Sequence, residues 1–159
     1  MTVANFYFMR QRLARLDEIY PGYSIFFITF CTHKHQTLLA NSLIHDSFRR
    51  FSISAEKRNT LVGRYVIMPD HIHFFVHFGD AMRISIWMKS LKNSLSKTLR
   101  SLGNPAPHWQ KGYFDYLVRS EQSYEEKWIY VEQNPVRKEL VAEAYLWPYQ
   151  GEVAQLPFD

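Results

Sequence analysis

The chain has 159 residues, of which 47% are hydrophobic and 16% aromatic, and its formal net charge is +4. This length suits one substantial core, so we expect a single domain over residues 1–159. The composition excludes a disordered chain, and without about 20 consecutive apolar residues we expect a cytoplasmic protein with no membrane partner. A single cysteine, Cys31, excludes a disulfide framework and a cysteine zinc cluster.

An N-terminal arm over residues 1–20 interleaves arginines with aromatic side chains, ahead of a Pro21-Gly22 turn signal. It is either a basic segment that contacts nucleic acid, with Arg12 as a candidate contact, or an edge segment packed on a sheet. The residue pattern does not choose between these two interpretations.

The next two elements are a strand and a helix. Residues 24–32, SIFFITFCT, are β-branched and aromatic and predict a central strand. Residues 41–58 predict a helix, with Asn41 or Ser42 as its N-cap and apolar residues at loose helical spacing.

The most informative stretch is MPDHIHFFVHF, from residue 68 to residue 78. Pro69-Asp70 is a turn-forming pair, so the apolar run 63–68 turns tightly into a second strand and predicts a β-hairpin. Alternation along that strand puts His71 and His73 on one face, where two imidazoles can converge on a divalent metal. Two ligands do not complete a structural zinc site, so a metal here would keep open positions for a substrate. The alternative is that both are half-buried strand histidines without a ligand.

Residues 84–102 predict the clearest amphipathic helix, with one apolar and one basic face. The basic face includes Lys89, Lys92 and Arg100. It would contact DNA or RNA only if the fold brings it beside the histidines, because a charged outer helix face is ordinarily just solvated.

The remaining elements are a strand, a helix and a tail. Residues 113–119 predict a fourth strand, and Ser123 with Glu126 forms a capping-box pattern for a last helix that should end near Asn134, before Pro135.

Residues 148–159 contain two prolines and a glycine and predict a C-terminal tail lying over the domain. The order strand, helix, strand, strand, helix, strand predicts an α+β, ferredoxin-like fold. It would have a four-stranded antiparallel sheet with helices on one face and an extra C-terminal helix.

Tyr130 stands out on this last helix. The predicted buried side comprises Tyr124, Trp128 and Val131, and Tyr130 lies about 120° away from it, between Glu126 and Asn134. A helix tyrosine ordinarily packs with its hydroxyl at the surface. Its place on a polar stripe also permits a role as a covalent nucleophile.

Three blocks of sequence together resemble a known family: MPDHIH at 68–73, WQKGYFD at 109–115 and YVEQNPVR at 130–137. They occur in the order found in the single-tyrosine HUH transposases, and more narrowly the chain is similar to the REP-associated tyrosine transposases of bacteria. The resemblance spans about residues 21–147. It implies a site-specific endonuclease of DNA transposition and recombination, which cleaves and rejoins single-stranded or hairpin DNA through a 5′-phosphotyrosine intermediate.

The resemblance also implies roles for particular residues. His71 and His73 would hold Mg²⁺ or Mn²⁺, and Tyr130 would be the nucleophile. Asn134 would supply a third, carboxamide ligand, with Gln133 as the alternative, although Gln133 lies about 60° further round the helix.

Single-stranded DNA would be held by basic side chains and by stacking on aromatic rings. The candidates are Arg12 of the N-terminal arm and five further residues, each at least equally well interpreted as an ordinary surface residue: Lys89, Lys92, Arg100, Trp109 and Arg137. Asp70 stands where the family commonly has asparagine, and it would add charge near the metal.

Two other hypotheses compete with this enzyme, which we expect to act as a monomer or homodimer. One is a catalytically silent, domesticated protein that only binds hairpin DNA. The other is a metal-dependent hydrolase of small molecules, which would need further Asp and His ligands at a recognisable spacing.

Overall fold

The structure, a computed structural model, describes residues 24–79 and 84–158. Its sheet contains β1 (Ser24–Cys31), β2 (Thr60–Ile67), β3 (His71–Phe78), β4 (Phe114–Val118) and β5 (Gln150–Glu152). All neighbours are antiparallel, in the order β4-β1-β3-β2-β5. The first four strands have the predicted ferredoxin-like arrangement, so the fold class is confirmed. The predicted N-terminal arm, including Arg12, lies outside the described residues.

The fifth strand corrects the prediction of a four-stranded sheet followed by a tail. β5 pairs with the outer edge of β2, where Gly151 lies opposite Tyr65. A Cβ at Gly151 would lie 3.0 Å from the Tyr65 Oη, so the glycine permits this close approach. Three polar or glycine residues carry no strand signal of their own, and the open backbone groups of β2 determine their conformation.

Two helices, α1 (Ser42–Ala55) and α2 (Ile84–Ser101), cover one face of the sheet. The Asn41 side chain caps α1 by accepting a hydrogen bond of 3.0 Å from the Ile44 N–H, as predicted. The core beneath them includes Phe74, which is fully buried. Burying one such side chain contributes about 1.5–3 kcal/mol.

The other face carries α3 (Glu121–Glu132) and the short α4 (Asn134–Arg137). The Ser120 hydroxyl caps α3 by accepting from the Ser123 N–H at 3.1 Å, so the predicted start at Ser123 is wrong. Pro135 does not end helical backbone as predicted. It lies in the first turn of α4, where a missing N–H leaves no helical hydrogen bond unmade.

Alternation along β3 divides its side chains between these two layers. The core beneath α1 and α2 takes Ile72, Phe74, Val76 and Phe78. Phe75 packs in the second core with Tyr124 and Val131 of α3. His71 and His73 share the side of Phe75, so they lie on the face that carries α3 and α4.

Candidate active site

A cavity of about 280 Å³ lies between the sheet and the last two helices. Its polar lining includes Thr29, His71, His73, Lys127, Tyr130 and Asn134. The structure therefore brings together, within one chain, the four residues to which the resemblance assigned the metal and the nucleophile. Gln133 is not among the described residues that line this cavity, whereas Asn134 is.

The two imidazoles are held by hydrogen bonds at their Nδ1 atoms. The His71 Nδ1–H donates to the Asp70 carboxylate at 2.7 Å, and the His73 Nδ1 lies 2.6 Å from the Thr29 hydroxyl oxygen. The ring centroids are 4.7 Å apart and the planes nearly perpendicular, at 82°. Because both Nδ1 atoms are engaged, each ring has its Nε2 to offer a cation.

His73 is kept neutral by its surroundings. Burial lowers its pKa well below the ordinary value, and electrostatic interactions with His71, Lys127 and Arg137 lower the pKa further. The Phe27 ring stacks on the imidazole with centroids 5.4 Å apart. A neutral imidazole is the form that coordinates a metal.

This depressed pKa predicts a pH-dependent stability. Below about pH 6.5 the unfolded chain protonates His73 while the folded chain does not. The free energy of unfolding should therefore decrease as the pH is lowered. This single group contributes at most about 1.4 kcal/mol per pH unit. Urea unfolding measures this pH dependence of stability when the wild type and His73→Gln are compared between about pH 7 and 5, with a chelator present. The variant should show the shallower dependence, and equal slopes would contradict the prediction.

Asp70 bridges two histidines. Its carboxylate accepts from the His71 Nδ1–H and, at 3.1 Å, from the His35 Nδ1–H. Burial raises the pKa of Asp70, but the hydrogen bonds and charges of His71 and His35 outweigh it, so the pKa is lowered overall. The Asp70 carboxylate, whose charge was expected near the predicted metal, therefore lies at the His71 Nδ1 and not at Nε2.

Tyr130 reaches the cavity from the last turn of α3. Its side chain is 45% exposed, whereas Tyr124 and Val131 on the same helix are buried, as the helical spacing predicts. Asn134 begins α4 and lies one turn further on, so both side chains face the same cavity.

Arg137 lies against Tyr130. Its guanidinium carbon is 4.0 Å from the centroid of the Tyr130 ring. Its Nη2 donates to the Tyr130 backbone carbonyl at 2.7 Å and to the Asn134 Oδ1 at 3.1 Å.

Lys127 is a cavity residue that sequence reasoning missed. Its Nζ lies 4.9 Å from the centroid of the Phe27 ring and 4.4 Å from that of Tyr116. Burial lowers the pKa of this lysine. It lies three residues before Tyr130, one turn of α3 away, and that spacing is the signal that points to it.

The family model described as "Transposase IS200 like" matches residues 23–134, which include His71, His73, Tyr130 and Asn134. The chain belongs to the IS200-like transposase family. The resemblance drawn from the three sequence blocks is therefore confirmed at the level of the family.

Two curated proteins of Haemophilus influenzae are similar to this chain. One is named as a REP-associated tyrosine transposase and is 26% identical over 96 residues, which are 54% of this chain and 54% of that protein. The other, named only as uncharacterized, is 21% identical over 97 residues, covering 47% of this chain and 54% of that protein. The chain thus spans about half the length of the curated relatives it matches.

Two solved structures share the fold of this chain. A REP-associated tyrosine transposase bound to a REP hairpin superposes with a TM-score of 0.62 and 18% identity, covering 86% of this chain and 90% of that chain. A transposase candidate from Deinococcus radiodurans gives a TM-score of 0.51 and 18% identity, covering 72% and 92%.

The residues predicted to contact DNA do not all lie at the cavity. Lys89 and Arg100 are exposed on α2, whose buried side packs on the opposite face of the sheet. The fold therefore does not bring the basic face of α2 beside the histidines. A DNA contact by Lys89 or Arg100 stays a prediction.

Lys92 and Trp109 make internal contacts. The Lys92 ammonium donates to the backbone carbonyls of Gln110 and Gly112, at 3.1 and 2.6 Å. The Trp109 indole donates to the Ser96 hydroxyl at 2.8 Å. Both side chains therefore fasten the loop before β4 to α2.

The part of the chain that the structure describes has neither a cluster of acidic, histidine or cysteine metal ligands nor a membrane-spanning helix. Within residues 24–79 and 84–158, no three His, Cys, Asp or Glu side chains form a group that could hold a metal ion. None of the helices in the same ranges combines the length and apolar character needed to cross a bilayer.

Proposed function

We propose that this chain is a metal-dependent single-stranded DNA transesterase, which cleaves and rejoins hairpin-containing DNA through a 5′-phosphotyrosine intermediate. The observation that supports it most is that Tyr130, His71, His73 and Asn134 line one cavity of a single chain. Membership of the IS200-like transposase family supports DNA as the substrate. The REP hairpin bound in the solved relative supports a hairpin as the element recognised.

The donor set fits a divalent cation such as Mg²⁺ or Mn²⁺. The Nε2 atoms of His71 and His73 and the Oδ1 of Asn134 would hold it, leaving open positions for oxygen ligands. When bound, the cation supplies Lewis-acid polarisation of the phosphodiester. His73 contributes as a neutral ring that is already oriented by Thr29.

Tyr130 performs the covalent step in this proposal. Its Oη attacks the scissile phosphorus and forms a tyrosine–phosphate ester, while the bond from phosphorus to the 3′ oxygen breaks. The phenolic proton passes to solvent, and the departing 3′ oxygen takes up a proton and becomes a hydroxyl. A 3′ hydroxyl can later reverse these bond changes, because the ester retains the energy of the original linkage.

Lys127 supplies positive charge close to that step. Its ammonium nitrogen lies 4.9 Å from the centroid of the Phe27 ring, which lines the cavity, and 4.4 Å from that of the Tyr116 ring. A non-bridging phosphate oxygen presented to Tyr130 would lie within reach of this side chain, one helical turn away.

The Asp70 carboxylate should strengthen metal binding through His71. Asp70→Asn weakens the acceptor for the His71 Nδ1–H, and loss of such an outer partner typically lowers metal affinity about 10–100-fold. Calorimetric titration of the chelator-treated protein with Mn²⁺ measures the affinity. Asp46→Asn, an exposed position on α1, is the matched control and should bind Mn²⁺ like the wild type. Equal affinity in the Asp70 variant would contradict this role.

A covalent-adduct assay tests the proposal. The purified full chain is incubated with Mg²⁺ or Mn²⁺ and a pool of hairpin oligonucleotides with randomised single-stranded flanks, labelled at either end. The 3′ label should migrate with the protein on a denaturing gel and the 5′ label should be released with a free 3′ hydroxyl. Trypsin should yield the modified peptide 128–137, in which Tyr130 is the only tyrosine.

Two results would overturn the proposal. Binding of the hairpin pool without any adduct would leave only a hairpin-binding protein. Attachment of the 5′ label to the protein would indicate the opposite polarity of cleavage and a different chemistry.

A further inference from the structure

Arg137 makes three contacts with the groups around the nucleophile. The guanidinium lies over the Tyr130 ring, at 4.0 Å from its centroid. Its Nη2 donates to the Tyr130 backbone carbonyl and to the Asn134 Oδ1. One side chain therefore contacts the ring and backbone of the nucleophile and the amide that faces the same cavity.

The backbone around Tyr130 leaves a carbonyl group for the Arg137 side chain to bind. α3 ends at Glu132, and α4 begins at Asn134, with Gln133 between them at φ −80° and ψ −4°. Carbonyl groups in the last turn of a helix lack regular helical partners, and Arg137 donates to one of them. The contact spans seven residues and links the end of α3 to α4.

We propose that Arg137 is a positioning residue, which fixes the Tyr130 ring and the Asn134 amide relative to each other before DNA binds. This inference rests on the proposed function of Tyr130 as nucleophile. It differs from the sequence-based prediction that Arg137 contacts DNA, because one face of the guanidinium and its Nη2 are already engaged within the protein.

The chemistry of arginine suits this role. A guanidinium is planar, so it can stack on a phenol ring while its edge donates several hydrogen bonds. A lysine ammonium can lie near the ring, but it has no planar face to stack and does not reproduce the fork of donors. The conservative variant is therefore informative, because it retains charge and loses the combined geometry.

Kinetics separates positioning from DNA binding. We compare the wild type with Arg137→Gln, Arg137→Lys and the matched control Arg50→Gln, an exposed arginine on α1. Fluorescence anisotropy over a salt series gives the Kd for a hairpin selected from the pool. Single-turnover adduct formation at saturating DNA gives the rate of the covalent step.

Arg137→Gln should lower the single-turnover rate about 100-fold, the effect of a misplacement of about 1 Å at a reacting group. Its Kd should stay within about twofold of the wild type, with an unchanged salt dependence. Arg137→Lys should recover only part of the rate, and Arg50→Gln should retain all of it.

A DNA contact would give the opposite pattern. Weaker binding, a salt slope reduced by about 1 and an unchanged rate at saturation would overturn the inference. Wild-type rates in Arg137→Lys would also overturn it, because charge alone would then suffice.

A spectroscopic measurement tests the inference independently of catalysis. 3-Fluorotyrosine incorporated at position 130 reports the ring environment by ¹⁹F NMR in the free protein. Arg137→Gln should shift the resonance towards that of the free amino acid, whereas Arg50→Gln should not. An unmoved resonance in Arg137→Gln would overturn the inference, whether or not the wild type forms an adduct. Failure of the wild type to form an adduct would instead count against the proposed function.

Discussion

Replacing Tyr130 with phenylalanine is expected to abolish the covalent protein–DNA adduct while leaving hairpin binding intact. The substitution removes only the hydroxyl oxygen that would attack the phosphorus, and loss of a covalent nucleophile lowers rates by at least about 1,000-fold. The side chain is 45% exposed, so the fold should tolerate the change. Adduct on a denaturing gel and the hairpin Kd by anisotropy are measured on the same preparation, and the Kd should change less than about twofold.

Tyr145→Phe is the matched control for this experiment. Tyr145 is 78% exposed and precedes β5, and its variant should form adduct at the wild-type rate. An adduct formed by Tyr130→Phe at the wild-type rate would assign the nucleophile to another residue, and the role proposed for the cavity would fail.

The second large effect is expected for His71→Ala. Loss of one imidazole should remove the metal-dependent part of adduct formation, lowering its rate about 100-fold or more. Lewis-acid polarisation contributes several kcal/mol, and about 1.4 kcal/mol corresponds to a factor of ten. Adduct formation is followed across a Mn²⁺ titration, and Mn²⁺ affinity is measured separately by calorimetry without DNA.

His45→Ala provides the control for the loss of a histidine. His45 lies on α1 and hydrogen-bonds the Tyr65 hydroxyl at 2.7 Å, on the sheet face away from the cavity. Its variant should lose some stability and keep its Mn²⁺ affinity. If His71→Ala retained both full activity and full Mn²⁺ affinity, the ligand assignment would be wrong.

The sequence alone predicted the scaffold of the site because local signals agreed with the tertiary fold. β-Branched and aromatic residues identify β1, the turn at Pro69-Asp70 defines the hairpin, and alternation puts His71 and His73 on one face. The more apolar face of β3 takes the two helices. The apolar side of α2 packs on that face, so its basic side lies away from the histidines, and this depends on the tertiary packing.

Other features depend on contacts between distant residues. The Thr29 partner of His73 follows from the β1–β3 register, 44 residues apart in sequence, which no local pattern specifies. Lys127 looks like an ordinary helix lysine until Phe27 and Tyr116 enclose it. β5 forms because β2 has an open edge, so the three residues of β5 do not predict a strand by themselves.

The location of the whole cavity within one polypeptide has a consequence for stoichiometry. Since the sheet histidines and the helix phenol line one cavity of the same copy, the proposed reaction centre needs no side chain from a second molecule. Under that proposal, an assembly of two copies would contain two such cavities.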